Sequence, residues 1–133
     1  MPKKQATTRI IGGSLKGSKL PFKERKSTRP TESKTKETLF NWLLNDLEGK
    51  TCLDMFAGTG SLGIEALSRG AKKVVFIEKK KSQVVSLKAN LKRLKVYDSS
   101  HVINANAFSI DFNNLPYQFD ILFIDPPFRE NLI

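Results

Sequence analysis

The stretch Thr51-Cys52-Leu53-Asp54-Met55-Phe56-Ala57-Gly58-Thr59-Gly60-Ser61-Leu62-Gly63 decides the fold. An apolar strand read over 51–56 runs into G-x-G-x-x-G, and a short helix over 61–69 follows, closed by Gly70. Glycines there let the backbone turn tightly and approach a ligand, and the helix start offers unpaired amides. Residues 73–78 have a wholly apolar middle, Val74-Val75-Phe76-Ile77, as a strand buried on both faces requires. From Lys80 to Lys95, Val84, Leu87, Leu91 and Leu94 mark one helical face, with Lys81, Lys88, Lys92 and Lys95 elsewhere. Residues 101–105 and 119–125 read as two further strands. This alternation predicts an α/β fold, a parallel sheet with helices on both faces.

Upstream, Leu39, Phe40, Leu43, Leu44 and Leu47 fall at helical spacing, from an N-cap at Thr31 to a stop at Gly49. Arg9 to Leu20, RIIGGSLKGSKL, reads as a small β-hairpin, and Met1 to Thr8 as a solvated tail. The chain has 133 residues and a net charge of +10. Its first 36 residues hold 11 basic and two acidic side chains, so nearly all the net charge sits there. Such a tract attracts a phosphate backbone, and residues 9–36 are expected to face nucleic acid. An anionic membrane surface would need an amphipathic anchor, which is missing. The length suits one domain. A single cysteine excludes a disulfide scaffold or a Cys-rich zinc site. No apolar run approaches a membrane span or a signal peptide. The expectation is a cytoplasmic protein with no membrane and no metal.

Three acids carry the chemistry. Glu78 ends the second strand 20 residues after Gly58, where a carboxylate can accept from a ribose diol. Its bland alternative is an exposed strand-end acid beside Lys79, Lys80 and Lys81. A nicotinamide dinucleotide and S-adenosylmethionine both present such a ribose. Asp54, at the first strand's tip, would repel a diphosphate and suit an ammonium. Alternatively it anchors the loop by accepting glycine-loop amides. The last strand ends in Asp125-Pro126-Pro127-Phe128. The prolines remove two donors, leaving acceptors beside a flat ring, a combination that fits the exocyclic amine of a flipped base. The alternative is a proline turn that stops a strand. Cys52 belongs to the core, and His101 reads as structural.

Together DMFAGTGSLG, Glu78 and DPPF resemble a class I S-adenosylmethionine-dependent amino-methyltransferase. RIIGGSLKG, Arg29-Pro30-Thr31, ETLFNWL at Glu37 to Leu43 and IEALSRGA at Ile64 to Ala71 narrow this further. They resemble the bacterial small-subunit ribosomal RNA guanine-N2 methyltransferase D family, over nearly the whole chain after Thr8. The resemblance implies a Rossmann-like sheet of strand order 3-2-1-4 with an N-terminal hairpin and helix. It implies S-adenosylmethionine as cofactor, with Asp54, Phe56, Gly58, Gly60, Glu78, Asn106 and Ala107 binding it. Asp54, Gly58 and Gly60 would line the methionine part, Glu78 the ribose, and Asn106 with the Ala107 amide the adenine edge. Asp125, Pro126 and Phe128 would be catalytic, and Arg9, Lys16, Lys19 and Arg29 would hold RNA.

Residues 1–30 would then form the basic arm and 31–133 the methyltransferase domain. The partner would be small-subunit ribosomal RNA, naked or in an assembling subunit, and the full-length protein a monomer. In that family the sheet continues past DPPF to seven strands. The implication is a C-terminally truncated chain whose DPPF strand is an exposed apolar edge. Three rival readings stay open: an adenine-N6 or cytosine-N4 DNA methyltransferase, a nicotinamide oxidoreductase, which would need a catalytic acid or base that is not evident, and a non-catalytic RNA-binding fragment.

Overall fold

The computed structural model describes residues 6–22, 31–43 and 46–126. Strands β1 (Ala6–Arg9) and β2 (Lys19–Phe22) form an antiparallel hairpin, followed by helix α1 (Thr31–Trp42). Then β3 (Thr51–Asp54), α2 (Ser61–Ser68), β4 (Lys73–Glu78), α3 (Lys81–Arg93), β5 (Ser100–Asn104) and β6 (Ile121–Phe123) alternate. The last four strands make one parallel sheet of order β5-β4-β3-β6. Counted from Thr51 this is the expected 3-2-1-4; the hairpin shifts the numbering by two.

Burial explains why these segments are strands. Val74, Val75, Phe76 and Ile77 in β4 are all inaccessible, so both faces of the central strand must be covered. On one face Cys52, Val74 and Phe76 pack with Ile64 and Leu67 of α2, Leu87 and Leu91 of α3, and Phe40 of α1. On the other, Leu53, Val75 and Ile77 meet Ala107, with Met55, Phe56, Ile103, Phe112, Tyr117 and Phe119 around them. Gly63 lets α2 lie close to β4: a Cβ there would stand 2.2 Å from the Phe76 ring.

Two expectations change at the N-terminus. The hairpin pairs Ala6 with Phe22 and Arg9 with Lys19, so its first strand begins inside the stretch expected to be a tail. The physical reason is Ile10 and Leu20, both buried in the main core. Burying each side chain contributes about 1.5–3 kcal/mol, enough to fix the strands that flank them. The helix expected to run to Gly49 ends at Trp42. Leu43 N bonds the carbonyls of both Leu39 and Phe40, and Asp46 N bonds Leu43 O; the tighter turns still deliver Leu47 to the core. Thr31 is the first helical residue, one place beyond a cap position. Leu44, expected on the same stripe, lies outside the described residues.

Among the described residues β6 is an outer strand of the sheet, with Leu122 53% exposed and Ile124, just past its end, 61% exposed.

Candidate active site

Parallel strands bring their carboxyl ends to one edge, and the sheet order brings the right ends together. Asp54 lies opposite Phe123 in the β3–β6 register, and Met55 N donates to Phe123 O at 3.0 Å. Asp125 therefore leaves the sheet beside Asp54. On the other side Asp54 pairs with Phe76, so Glu78 ends the neighbouring strand, opposite Asn104 of β5. The helix linking β3 to β4 and the segment linking β5 to β6 are associated with opposite faces of the sheet. The tips of β3 and β6 thus flank the crevice where open α/β sheets bind ligands.

The glycine loop spans this edge. Gly58 and Gly60 have φ of 54° and 87°, and a Cβ on Gly60 would stand 2.4 Å from Leu87 Cδ1. Glu78 holds the loop: its Oε1 accepts from Gly58 N at 2.9 Å and its Oε2 from Lys80 N at 2.8 Å. Each oxygen keeps a second lone pair on a half-buried side chain, so acceptor capacity remains.

Asp54 differs from this. It is 1% exposed, and neither carboxylate oxygen has a hydrogen-bond partner. The loop amide bonded at close range is that of Gly58, and Glu78 takes it, because its longer side chain reaches Gly58 N from the next strand. Burial pushes the Asp54 carboxyl up from 3.8 to about 7. The amides of Phe56 and Gly63 pull it down from beyond hydrogen-bond geometry, and the charges of Asp125 and Glu78 raise it. A buried, unpartnered carboxylate ringed by acids favours a cationic ligand and disfavours a diphosphate.

Beyond β5, Asn104 Nδ2 donates to the carbonyls of Glu78 and Lys79, at 3.0 and 2.9 Å, and ties the two tips together. Asn106 Oδ1 accepts from Phe108 N at 2.9 Å, which fixes its side chain with one lone pair still available. Ala107 is buried beneath it, and the rings of Phe56 and Phe108 stand 5.5 Å apart as an apolar wall. Asp125 is exposed and Pro126 half-buried. Phe128 lies outside the described residues, as does Arg29. His101 sits in β5, its Nδ1 3.2 Å from the Tyr117 hydroxyl. Cys52 is buried, and its thiol is pushed up to about 11, mainly by that burial.

Arg9, Lys16 and Lys19 are all exposed on the hairpin. Lys36, counted with the basic tract, is instead buried. Its Nζ donates to Arg9 O and Ser61 Oγ, each at 2.8 Å, and lies 3.4 Å from Glu65 Oε1. Glu65 is inaccessible and also accepts from Ile11 N, Gly12 N and Arg69 Nε, at 2.8, 2.9 and 2.9 Å. This network fastens the hairpin and α1 onto α2, directly behind the glycine loop. Gly13 completes the fit: its φ is +77°, and a Cβ would stand 1.9 Å from the Ser68 carbonyl oxygen. The sequence did hold a signal for Glu65, a charged residue among Ile64, Ala66 and Leu67. Among the described residues no helix is long and apolar enough to cross a membrane, and no three side chains cluster to hold a metal.

Residues 8–133 match the family model described as Conserved hypothetical protein 95. The chain is 47% identical to the Haemophilus influenzae protein named ribosomal RNA small subunit methyltransferase D, over 98% of this chain and 69% of that one. It superposes on the solved Escherichia coli protein yhhF with a TM-score of 0.80 and 41% identity, covering 96% of this chain and 68% of that one. A Trypanosoma brucei PRMT1 complex, solved with AdoHcy, is 25% identical with a TM-score of 0.58, over 68% of this chain and 27% of that one. The chain thus spans about two thirds of the length of the first two relatives.

Proposed function

This chain belongs to the ribosomal RNA small subunit methyltransferase D family, and from that premise we propose that it moves a methyl group from S-adenosylmethionine to the N2 amine of a guanine in small-subunit ribosomal RNA. The observation that carries the reading is the unpartnered, buried carboxylate of Asp54. S-adenosylmethionine, when bound, supplies an already activated methyl group together with an α-ammonium, the cation that Asp54 lacks.

In this reading Asp54 holds the ammonium, and Gly58 and Gly60 keep the loop backbone close to the methionine part. Glu78 accepts from the ribose hydroxyls while still anchoring Gly58. Asn106 Oδ1 and the Ala107 amide address the adenine edge, beside the Phe56 ring. The Asp125 carboxylate and the Pro126 carbonyl accept the two hydrogens of the guanine amine, which turns the nitrogen lone pair outward. Phe128 stacks on the base. Positioning of the guanine amine by Asp125 and Pro126 would supply most of the rate. Residues 1–30, with Arg9, Lys16, Lys19 and Arg29, hold the RNA, and 31–133 hold the cofactor and the base.

A methyl-transfer assay on small-subunit ribosomal RNA tests this. Asp125→Ala should lower transfer at least about 100-fold while calorimetry finds cofactor binding within about twofold of the parent. Unchanged turnover in Asp125→Ala would remove the target-site assignment. Transfer to duplex DNA but not to RNA would favour the DNA-directed amino-methyltransferase instead.

A further inference from the structure

Residues 79–97 hold seven basic side chains, Lys79, Lys80, Lys81, Lys88, Lys92, Arg93 and Lys95, and no acidic one. Glu78 and Asp98 bracket this stretch, and the other acids of residues 37–133 stand outside it in the sequence. On α3, Lys81, Val85, Lys88 and Lys92 recur at i, i+4, i+7 and i+11, one line roughly 16 Å long in which Lys81, Val85 and Lys92 are exposed and Lys88 is half-buried. The opposite side is buried through Val84, Leu87 and Leu91. Val85 is 64% exposed in the middle of the line, and Lys92 Nζ lies 5.0 Å from the Tyr97 ring centre just beyond its end.

For folding alone this pattern is unfavourable. A solvent-exposed helix is ordinarily stabilised by oppositely charged i, i+4 pairs, and Lys88 and Lys92 repel each other at that spacing. The first turn of α3 holds no acid, and Lys80 and Lys81 face the positive end of the helix dipole. Among the described residues, none of these lysines makes an ion pair. The line also joins the hairpin: Arg93 Nη2 donates to Lys19 O at 2.7 Å, which places the exposed Lys19 next to the end of α3. At its other end α3 starts three residues after Glu78, at the edge of the sheet that carries the site.

We propose that the solvent side of α3 and the hairpin form one continuous tract that binds the phosphate backbone of the RNA flanking the target guanine. This rests on the RNA reading above and extends it to a surface outside the N-terminal arm. Cations at one-turn spacing neutralise successive phosphates, and Val85 and Tyr97 offer apolar contact to sugars and bases between them.

The test compares the chain with Lys88→Gln/Lys92→Gln/Lys95→Gln and with Lys16→Gln/Lys19→Gln, in binding a small-subunit ribosomal RNA fragment across several salt concentrations. Each lost phosphate contact should flatten the slope of log K against log salt by about 0.7–0.9, so the triple variant should lose about two to three. Its cofactor binding by calorimetry and its melting by circular dichroism should match the parent. If the parent binds RNA with a salt-dependent slope and only the hairpin variant flattens it, this inference fails and the functional reading survives. If the parent shows no salt-dependent RNA binding, both fail. If the triple variant loses binding to anionic phospholipid vesicles while keeping its RNA slope, the tract belongs to a membrane surface and the inference is overturned.

Discussion

Asp54 and Glu65 are two carboxylates buried to the same degree, one at the tip of β3 and one in the middle of α2. Glu65 is saturated: two backbone amides, Lys36 and Arg69 all address it. Asp54 has no partner within hydrogen-bond geometry and no cation beside it; only the amides of Phe56 and Gly63 act on it from farther off, and nearby acids add to its cost. Burial alone therefore does not distinguish a structural acid from a binding one. What distinguishes them is whether the chain supplies the counter-charge. At Glu65 the chain closes the network internally and gains attachment of the hairpin and α1. At Asp54 it does not, and in the function proposed above the cofactor's ammonium meets that requirement, at a cost in stability when it is absent.

The contrast is sharpened most strongly at Glu65. Glu65→Gln leaves Lys36 and Arg69 buried without their acid, and should cost about 3–5 kcal/mol in urea unfolding. A loss under about 1 kcal/mol would mean that the network carries little of the attachment. Asp54→Asn should go the other way. The carboxyl's folded value is raised to about 7 from 3.8, so the folded state holds the proton more tightly than the unfolded state. Its contribution to stability is therefore complete below about pH 4 and is lost as pH rises through about 7. Removing the charge should stabilise the ligand-free protein by about 2–4 kcal/mol at pH 8, by about 1–2 kcal/mol at pH 5 and by little below about pH 4. Destabilisation at pH 8 would break the comparison. The smallest effect is expected for Lys36→Met, because Glu65 keeps Arg69 and two amides. A loss of about 1–2 kcal/mol in the same unfolding assay would separate the value of one donor from that of the whole network.

The sheet was legible because its information is local. Val74 to Ile77 are apolar without interruption, the glycines of the loop sit between a strand and a helix, and Val84, Leu87 and Leu91 mark α3 without reference to anything distant. The hairpin bounds were less legible: what fixes β1 and β2 is burial of Ile10 and Leu20 against helices that come later in the chain. Lys36 was illegible for the same reason. Its partners Arg9, Ser61 and Glu65 lie 25 to 29 positions away, and a basic residue in a basic tract carries no local sign of burial. At the site, the sequence placed Asp54, Glu78 and Asp125 at strand ends, and the sheet order brings those ends to one edge. It did not reveal that Glu78 bonds the Gly58 amide. Side-chain reach across two parallel strands decides that, and spacing along one strand is silent about it.

We propose that Asp54 holds the cofactor's ammonium. Calorimetric titration of S-adenosylmethionine into the chain and into Asp54→Asn, at pH 7.0 and pH 5.5, tests it most directly. Binding should be about tenfold weaker at the lower pH, where Asp54 must give up a proton first, and at least about 100-fold weaker in Asp54→Asn with the pH dependence gone. Equal affinity at both pH values, unchanged by Asp54→Asn, would contradict it.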